Sequence, residues 1–475
     1  MNSNSTIHTT VVILAAGLGT RMKSKRAKVL HRAGGLTLVE NVVSAATAVA
    51  PSERTIVVTG HQAEEVEAIL LPAGHASGIG FVRQAGQKGT GHALAACRER
   101  LQGIKGLLMV LYGDTPLLSP ATLLRLRDLQ SASGAAATLI TTTLDDPTGY
   151  GRVILNGQGD VTAIVEHKAA TAEQKTIRLI NSGIYCFDAS LLWKHIVELQ
   201  PNAASGELYL TDMAEILVRH GHRVGALHID DPDELLGINT RVELADADRV
   251  LRERKCRELM LAGVTIERPE TVTVDAHVQA GIDTVIEPFA RLLGSTKIGE
   301  DCRVGAGAII ESSVLADQVV VAPYTLVANS RIETGAQVGP FARLRMDAQV
   351  GEDARVGNFV ELKKTTLGRG AKSQHLAYLG DSEIGAGSNV GAGTITCNYD
   401  GSKKHRTHIG ARAFIGSNST LVAPVEIGAD SYVAAGSVIT EAVPPEALAL
   451  GRARQVVKPG WVKKGRKKEA AKERP

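Results

Sequence analysis

At 475 residues the chain exceeds one ordinary core, and two domains is the expected organisation. A composition of 44% apolar and 22% charged residues argues against a disordered or membrane-embedded chain, while 49 glycines beside 3% aromatics point to many tight turns. The net charge of +3 implies no polyanionic partner, so nucleic acid is not expected.

Five scattered cysteines (Cys97, Cys186, Cys256, Cys302, Cys397) form no CxxC pair, which favours free thiols in a reducing compartment over disulfides or zinc. The apolar run Val11–Ala16 is too short for a signal core. No stretch approaches the roughly 20 apolar residues of a membrane span. The expectation is a cytoplasmic protein with no membrane partner.

From residue 10 to about 238, short apolar strands alternate with helical patterns. Thr10–Ala16, Thr55–Thr59 and Leu107–Leu111 read as buried strands; Leu38–Ala50 and Thr90–Leu101 carry helical spacing. This alternation predicts an α/β domain, Rossmann-like, with a mostly parallel sheet and covering helices over residues 1–239. Residues 240–263 read as one exposed connector helix, opened by a Thr240/Glu243 capping box and stopped by Gly263.

From about 264 to 452 the period changes. An aliphatic residue recurs every six positions, as in Ile332, Val338, Leu344, Val350, Val356 and Leu362, then again through Ile409, Ile415, Leu421, Ile427 and Val433. No helix has this period. It fits a coil with three flat sides and one aliphatic residue pointing inward from each, the hexapeptide signature of the left-handed parallel β-helix. Two segments depart from the pattern: Ser373–Asp381 reads as a break, and Thr394–Gly401 begins an insertion rich in Lys and His. A repeat protein tolerates insertions where loops leave the stack, often on its binding face. Residues 453–475 are basic and aperiodic (Lys463, Lys464, Arg466, Lys467, Lys468) and read as a solvated tail.

Three motifs in the first domain point to nucleotide chemistry. Leu14-Ala15-Ala16-Gly17-Leu18-Gly19-Thr20-Arg21 follows a strand, where glycines let backbone N–H groups approach phosphates and Arg21 offers a fork-shaped cation. It lacks the endings of a P-loop or a dinucleotide loop. Gln84–Ala93 opens a helix with small residues. Leu111-Tyr112-Gly113-Asp114 sets a carboxylate just past a buried strand end, where ligands collect in open parallel sheets. Asp114 with Asn239 makes an oxygen pair suited to Mg²⁺.

In this order the segments resemble the sugar-nucleotide pyrophosphorylases, and most closely the bifunctional N-acetylglucosamine-1-phosphate uridyltransferase/glucosamine-1-phosphate acetyltransferase family (GlmU). The resemblance covers all but the two termini and adds Asp145–Arg152, Val165–Lys168 and Asn181–Gly183. It implies that Leu14, Ala15, Ala16, Gly17, Lys28, Gln84, Gly89, Thr90, Tyr112 and Gly113 hold UTP, that Gly151, Glu166 and Asn181 hold the sugar, and that Asp114 and Asn239 bind Mg²⁺. Arg21 and Lys28 would neutralise charge during transfer. Leu18 stands where the family has Lys, and Ala27 where it has Pro, a loss that frees φ in the loop before Lys28.

In the second domain a histidine suits the removal of a proton as an amine attacks a thioester. The resemblance implies His375 as that general base, with Arg345, Lys363, Tyr378 and Asn389 on glucosamine-1-phosphate and Glu361 orienting the site. It assigns acetyl-CoA to Ala392, Asn398, Tyr399, Ser417, Ala435 and Arg452. Together these imply acetylation of glucosamine-1-phosphate, then uridylyl transfer from UTP, giving UDP-N-acetylglucosamine. The alternative is a single-function nucleotidyltransferase with a structural β-helix. Arg345 and Arg452 lie too far apart along the coils for one compact pocket, which predicts a homotrimer with shared acetyl-transfer sites.

Overall fold

The computed structural model describes residues 8–71, 78–202 and 206–464, in two compact units, Met1–Lys255 and Cys256–Pro475. The first unit is built on β1 (Thr9–Leu14), β2 (Thr55–Thr59), β3 (Gly80–Arg83), β4 (Leu107–Tyr112), β5 (Ala137–Thr143), β6 (Arg152–Leu155), β7 (Val161–Val165), β8 (Leu179–Asp188) and β9 (Val224–His228). Its helices include α1 (Leu38–Ala46), α2 (Ala63–Leu70), α3 (Thr90–Ala95), α4 (Pro120–Ser133), α5 (Ala189–His195) and α6 (Asp212–Arg219).

The main sheet runs β9-β5-β8-β4-β1-β2-β3, with the β6–β7 hairpin joined to it through the Ile180↔Arg152 pair. All its strands are parallel except β8, which is antiparallel to both β4 and β5. Every residue of β1 is buried, because helices cover both faces. Val12 and Leu14 enter one core and Val11 and Ile13 the other. β2 and β3 lie on one side of β1 and β4 on the other. The carboxyl ends of β1 and β4 therefore flank the crevice where strand order reverses.

Two helices are shorter than their spacing suggests. α1 stops at Ala46, ahead of Pro51, whose ring disfavours helix in the residue before it. The helix expected over 90–101 breaks after Ala95, where Cys97 turns back to Leu94, and restarts at Arg98.

The helix α7 (Arg241–Leu261) opens with the expected box: Glu243 N–H donates to Thr240 Oγ1 at 3.2 Å, and Thr240 N–H to Glu243 Oε2 at 2.9 Å. It is not exposed throughout. Ala247 packs with Leu117 and Ile238 in the first unit, and Cys256 and Leu259 join the core of the second. A low average hydrophobicity concealed a few well-spaced apolar contacts.

The second unit is a left-handed parallel β-helix of three parallel sheets. Successive coils bring Val338, Val356, Ser373, Val390, Ile415 and Val433 into register on one face, and Leu344, Leu362 and Leu379 on the next. All of them but Ser373 belong to one continuous aliphatic core. The 373–381 segment is not a break. Ser373 takes the inward position between Val356 and Val390 and is fully buried, so the coil continues with a small polar residue in an aliphatic column. The later insertion is real: Ile384 pairs with Ile409 and Val390 with Ile415, and the chain between Asn398 and Arg406 loops out.

All five cysteines are free thiols. No described helix is long and apolar enough to cross a membrane. Of the basic tail, Lys463 and Lys464 are exposed, and Arg466, Lys467 and Lys468 lie outside the described residues.

Candidate active sites

A cleft of about 470 Å³ opens at the carboxyl ends of β1 and β4. Leu14, Ala15, Ala16, Gly17, Arg21, Lys28, Gln84, Gly89, Thr90, Tyr112 and Asp114 line it. The backbone after β1 is locked to both neighbouring strand ends. Ala15 N–H donates to Val58 O and Gly113 N–H to Leu14 O, each at 2.9 Å. Gln84 holds the opposite wall, its Nε2 donating to Gly89 O at 3.1 Å.

At the floor, Lys28 Nζ forms an ion pair with Asp114 Oδ2 and donates to Asn239 Oδ1 at 3.0 Å. Arg21 Nη2 donates to the same amide oxygen at 2.8 Å. Ile238 N–H donates to Asp114 O at 2.9 Å and ties the two segments together. Asp114 and Asn239, far apart in sequence, thus share one cationic group. Gly19 makes the approach of Lys28 possible: at φ +62° a Cβ there would stand 2.5 Å from Lys28 Cβ.

Gly151, Glu166 and Asn181, outside the lining of the cleft, form a second connected group. Asn181 N–H donates to Gly151 O at 2.9 Å, and Asn181 Nδ2 to the buried Tyr185 hydroxyl at 2.7 Å. Glu166 Oε1 accepts from Thr211 Oγ1 at 3.2 Å. Burial, then the nearby Glu166, pushes the Asp212 carboxyl above its ordinary value. Burial likewise raises the Tyr112 phenol.

On the β-helix the candidate residues divide between two edges of the prism. Arg345 and Lys363 are in register on adjacent coils, and Lys363 with Gly380 on the next. Arg345 Nε donates to Glu361 Oε1 at 2.6 Å; Lys363 Nζ, almost fully buried, donates to Asp381 Oδ2 at 2.7 Å. Asn398 Nδ2 donates to the same carboxylate oxygen. Burial opposes both charges in the Lys363–Asp381 pair, and their hydrogen bond outweighs it, so Lys363 is raised and Asp381 lowered. Both remain charged across the neutral range. The Tyr378 hydroxyl points to this edge, since a Cβ on Gly380 would stand 2.5 Å from it.

The other edge carries His375. It pairs in register with Asn358, whose Oδ1 lies 2.9 Å from His375 Nδ1. An amide oxygen only accepts, so this pairing puts the proton on Nδ1 and leaves Nε2 as the basic nitrogen. Ala392, Ser417 and Ala435 climb the same edge coil by coil, linked by Asn418 N–H to Ala392 O at 2.7 Å and Gly436 N–H to Ser417 O at 2.8 Å. Arg452 lies beside Gly436 at the top. Asn389 is on the face before this edge, in register with Lys372 and Phe414. Tyr399 sits in the looped-out insertion, its hydroxyl donating to Gly401 O at 2.6 Å. One face of the prism, roughly 15 Å at ~3.3 Å per residue, separates His375 from the Lys363–Gly380 edge.

Residues 11–176 match the MobA-like NTP transferase domain family. Residues 406–441 match the bacterial transferase hexapeptide repeats, and residues 295–322 the hexapeptide repeat of succinyl-transferase. The chain is 58% identical to "Bifunctional protein GlmU" of Solibacter usitatus, over 96% of this chain and 97% of that one. The protein of the same name from Koribacter versatilis is 48% identical over 97% and 98%, and that of Trichlorobacter lovleyi 45% over 96% and 98%. The chain belongs to the bifunctional GlmU family. It is an enzyme with two activities. One acetylates glucosamine-1-phosphate with acetyl-CoA. The other transfers UMP from UTP to N-acetylglucosamine-1-phosphate, releasing pyrophosphate.

Within this GlmU-family chain, one expected weakness is compensated. Ala27 replaces the proline before Lys28, yet the loop is not left loose. Its φ of −54° is proline-like, and its N–H donates to Gln62 Oε1, a bond no proline could make. Leu18 is half-exposed on the loop rim. Gln87, within the Gln84–Ala93 motif, also lines the cleft; sequence reasoning missed Glu207 and Tyr209, which line it too, and Asn358. Glu207 and Tyr209 carry no periodic signal. Asn358 was findable, because it sits one coil before His375 in the repeat.

Proposed function

We propose that the β1–β4 cleft is the uridylyl-transfer site and that the two β-helix edges together form the acetyl-transfer site. The first assignment rests on one observation, the convergence of Asp114, Asn239, Lys28 and Arg21 at the end of the sheet's central strands. Asp114 and Asn239 offer hard oxygen donors that suit Mg²⁺, and both already contact a cation. When bound, Mg²⁺ would supply charge neutralisation on the nucleotide phosphates. The sugar-phosphate oxygen, already anionic, attacks the α-phosphate of UTP in line, the bond to pyrophosphate breaks, and no strong base is required. Arg21 and Lys28 stabilise the developing charge, while the backbone after β1 positions the nucleotide. Gly151, Glu166 and Asn181 hold the sugar.

In the second site the amine of glucosamine-1-phosphate attacks the thioester carbonyl. His375 Nε2 takes the amine proton, the C–S bond breaks, and the sulfur takes that proton from His375 and leaves as the thiol. Arg345 and Lys363 bind the sugar phosphate. The edge from Ala392 to Arg452 fits an extended acetyl-CoA, while Asn398 and the adjacent Tyr399, beside Lys363 on the other edge, would reach it from a neighbouring copy.

The catalytic His375 and the phosphate-binding pair sit on different edges, so one prism brings them together poorly. Below His375 the same edge carries a ladder of exposed apolar side chains, Tyr324, Phe341, Phe359 and Leu376, the aromatics stacked at 5.4 and 5.5 Å. Both features support a homotrimer in which one copy's His375 edge meets the next copy's Arg345 edge. The distance from Arg345 to Arg452 is a weaker reason, because an elongated ligand can lie along several coils. Five free cysteines without a disulfide support a cytoplasmic enzyme.

The first-site assignment is tested with Asp114→Ala. Uridylyl transfer should fall about 10²–10³-fold, on the scale of losing preorganised charge stabilisation, with acetyl transfer unchanged. A near-normal uridylyl rate would remove Asp114 from the site.

A further inference from the structure

We propose that His195, Glu198 and His220 form a binding site for a divalent transition-metal ion of the zinc or nickel kind, apart from both transfer sites. His195 Nδ1 lies 2.7 Å from Glu198 Oε1, and His220 Nε2 lies 2.9 Å from Glu198 Oε2. One donor atom from each residue falls within 4.8 Å of the others. The two imidazole rings face each other at 4.2 Å between centroids, tilted by 38°.

The donor set decides the class of ion. Two imidazole nitrogens and one carboxylate oxygen are borderline ligands that select zinc, nickel or copper; magnesium prefers oxygen throughout. Three protein ligands leave further positions to solvent. All three come from fixed backbone. His195 ends α5, Glu198 closes the turn after it, and His220 follows α6 with its N–H bonded to Ile216 O and Leu217 O, each at 3.2 Å. Such framing is what a preorganised metal site needs.

A purely structural role explains the cluster less well. His195 is almost fully buried and turns Nδ1 onto Glu198, where an apolar side chain would pack without desolvating a polar ring. Two histidines on one carboxylate also exceed what a single cap requires. His222 adds a third ring, edge-on to His195 at 5.6 Å. Arg219, 3.7 Å from Glu198 Oε2, is exposed.

The position gives the site a use. The chain between Glu198 and Asp212 carries Glu207 and Tyr209 of the nucleotide cleft and Thr211, which bonds Glu166. An ion held by His195, Glu198 and His220 fixes the start of that segment and ties it to the far end of α6, the helix the segment enters. Metal occupancy should therefore stabilise the first domain and steady one wall of its cleft.

The test uses the full chain, stripped with chelator and titrated with Zn²⁺ alone by calorimetry, then with Co²⁺ by visible absorption. His220→Gln and Glu198→Gln change half-exposed positions and spare the buried His195. Asp114→Asn controls for Zn²⁺ in the nucleotide cleft. The wild type and Asp114→Asn should bind one Zn²⁺ that raises the melting temperature, with cobalt bands in the visible. Both ligand variants should bind it about tenfold more weakly or worse and lose the thermal shift. Identical Zn²⁺ isotherms and thermal shifts in wild type, His220→Gln and Glu198→Gln would overturn the proposal. So would a wild type that binds no Zn²⁺, or binding lost only in Asp114→Asn.

Discussion

The two halves solve the same problem, holding a phosphorylated sugar beside an activated donor, with opposite architectures. In the first, parallel strands bring residues as distant as Lys28, Asp114 and Asn239 to one crevice of one chain. In the second, a repeating coil cannot fold back on itself. Its candidate residues appear wherever an edge recurs, and they divide between two edges. A sheet with a switch point concentrates chemistry by topology; a solenoid distributes it along its edges.

The contrast breaks hardest at His375. His375→Ala should lower acetyl transfer by about 10²–10⁴-fold, the usual cost of losing a general base, and should flatten the pH dependence of kcat/KM measured by thiol release. Uridylyl transfer should not change. An unaltered acetyl-transfer rate across pH would remove His375 from the mechanism.

Asn358→Ala sharpens the comparison, because this residue is positioning rather than catalytic. Without its amide oxygen the Nδ1–H loses its acceptor, and both tautomers become accessible. A fall in kcat of about tenfold is expected with little change in KM, and Asn358→Asp should recover part of it. A KM effect alone would contradict the orienting role.

Much of this was legible in the sequence for physical reasons that differ between the halves. The six-residue period gave the β-helix because every coil repeats one demand, an inward aliphatic. Its failure at Ser373 was misread as a break, since a column tolerates a small polar residue that a pattern search does not. In the first half, motifs after strands exposed Leu14–Gly17 and Asp114. The antiparallel β8 was illegible, because strand direction depends on long-range pairing rather than local pattern. Glu207 and Tyr209 were missed because nothing in an irregular segment reports where it packs. The split of Arg345 and His375 between edges follows from register, which requires knowing where each coil turns.

The smallest expected effect is at Ala27. Ala27→Pro restores ring rigidity but removes the N–H donated to Gln62, two terms of about 1 kcal/mol and of opposite sign. KM for UTP and the melting temperature should both move little. A large gain in either would mean that the Gln62 bond does not hold the loop.

The central claim is that the first site is complete within one chain while the second needs two. Subunit mixing tests it directly. His375→Ala and Arg345→Ala, each inactive in acetyl transfer, would be dissociated together and reassembled. If the two edges come from different copies, random reassembly should restore about a quarter of the wild-type acetyl-transfer rate, from the symmetry of a closed ring. No recovery on mixing, or a fully active monomer by light scattering, would contradict the account.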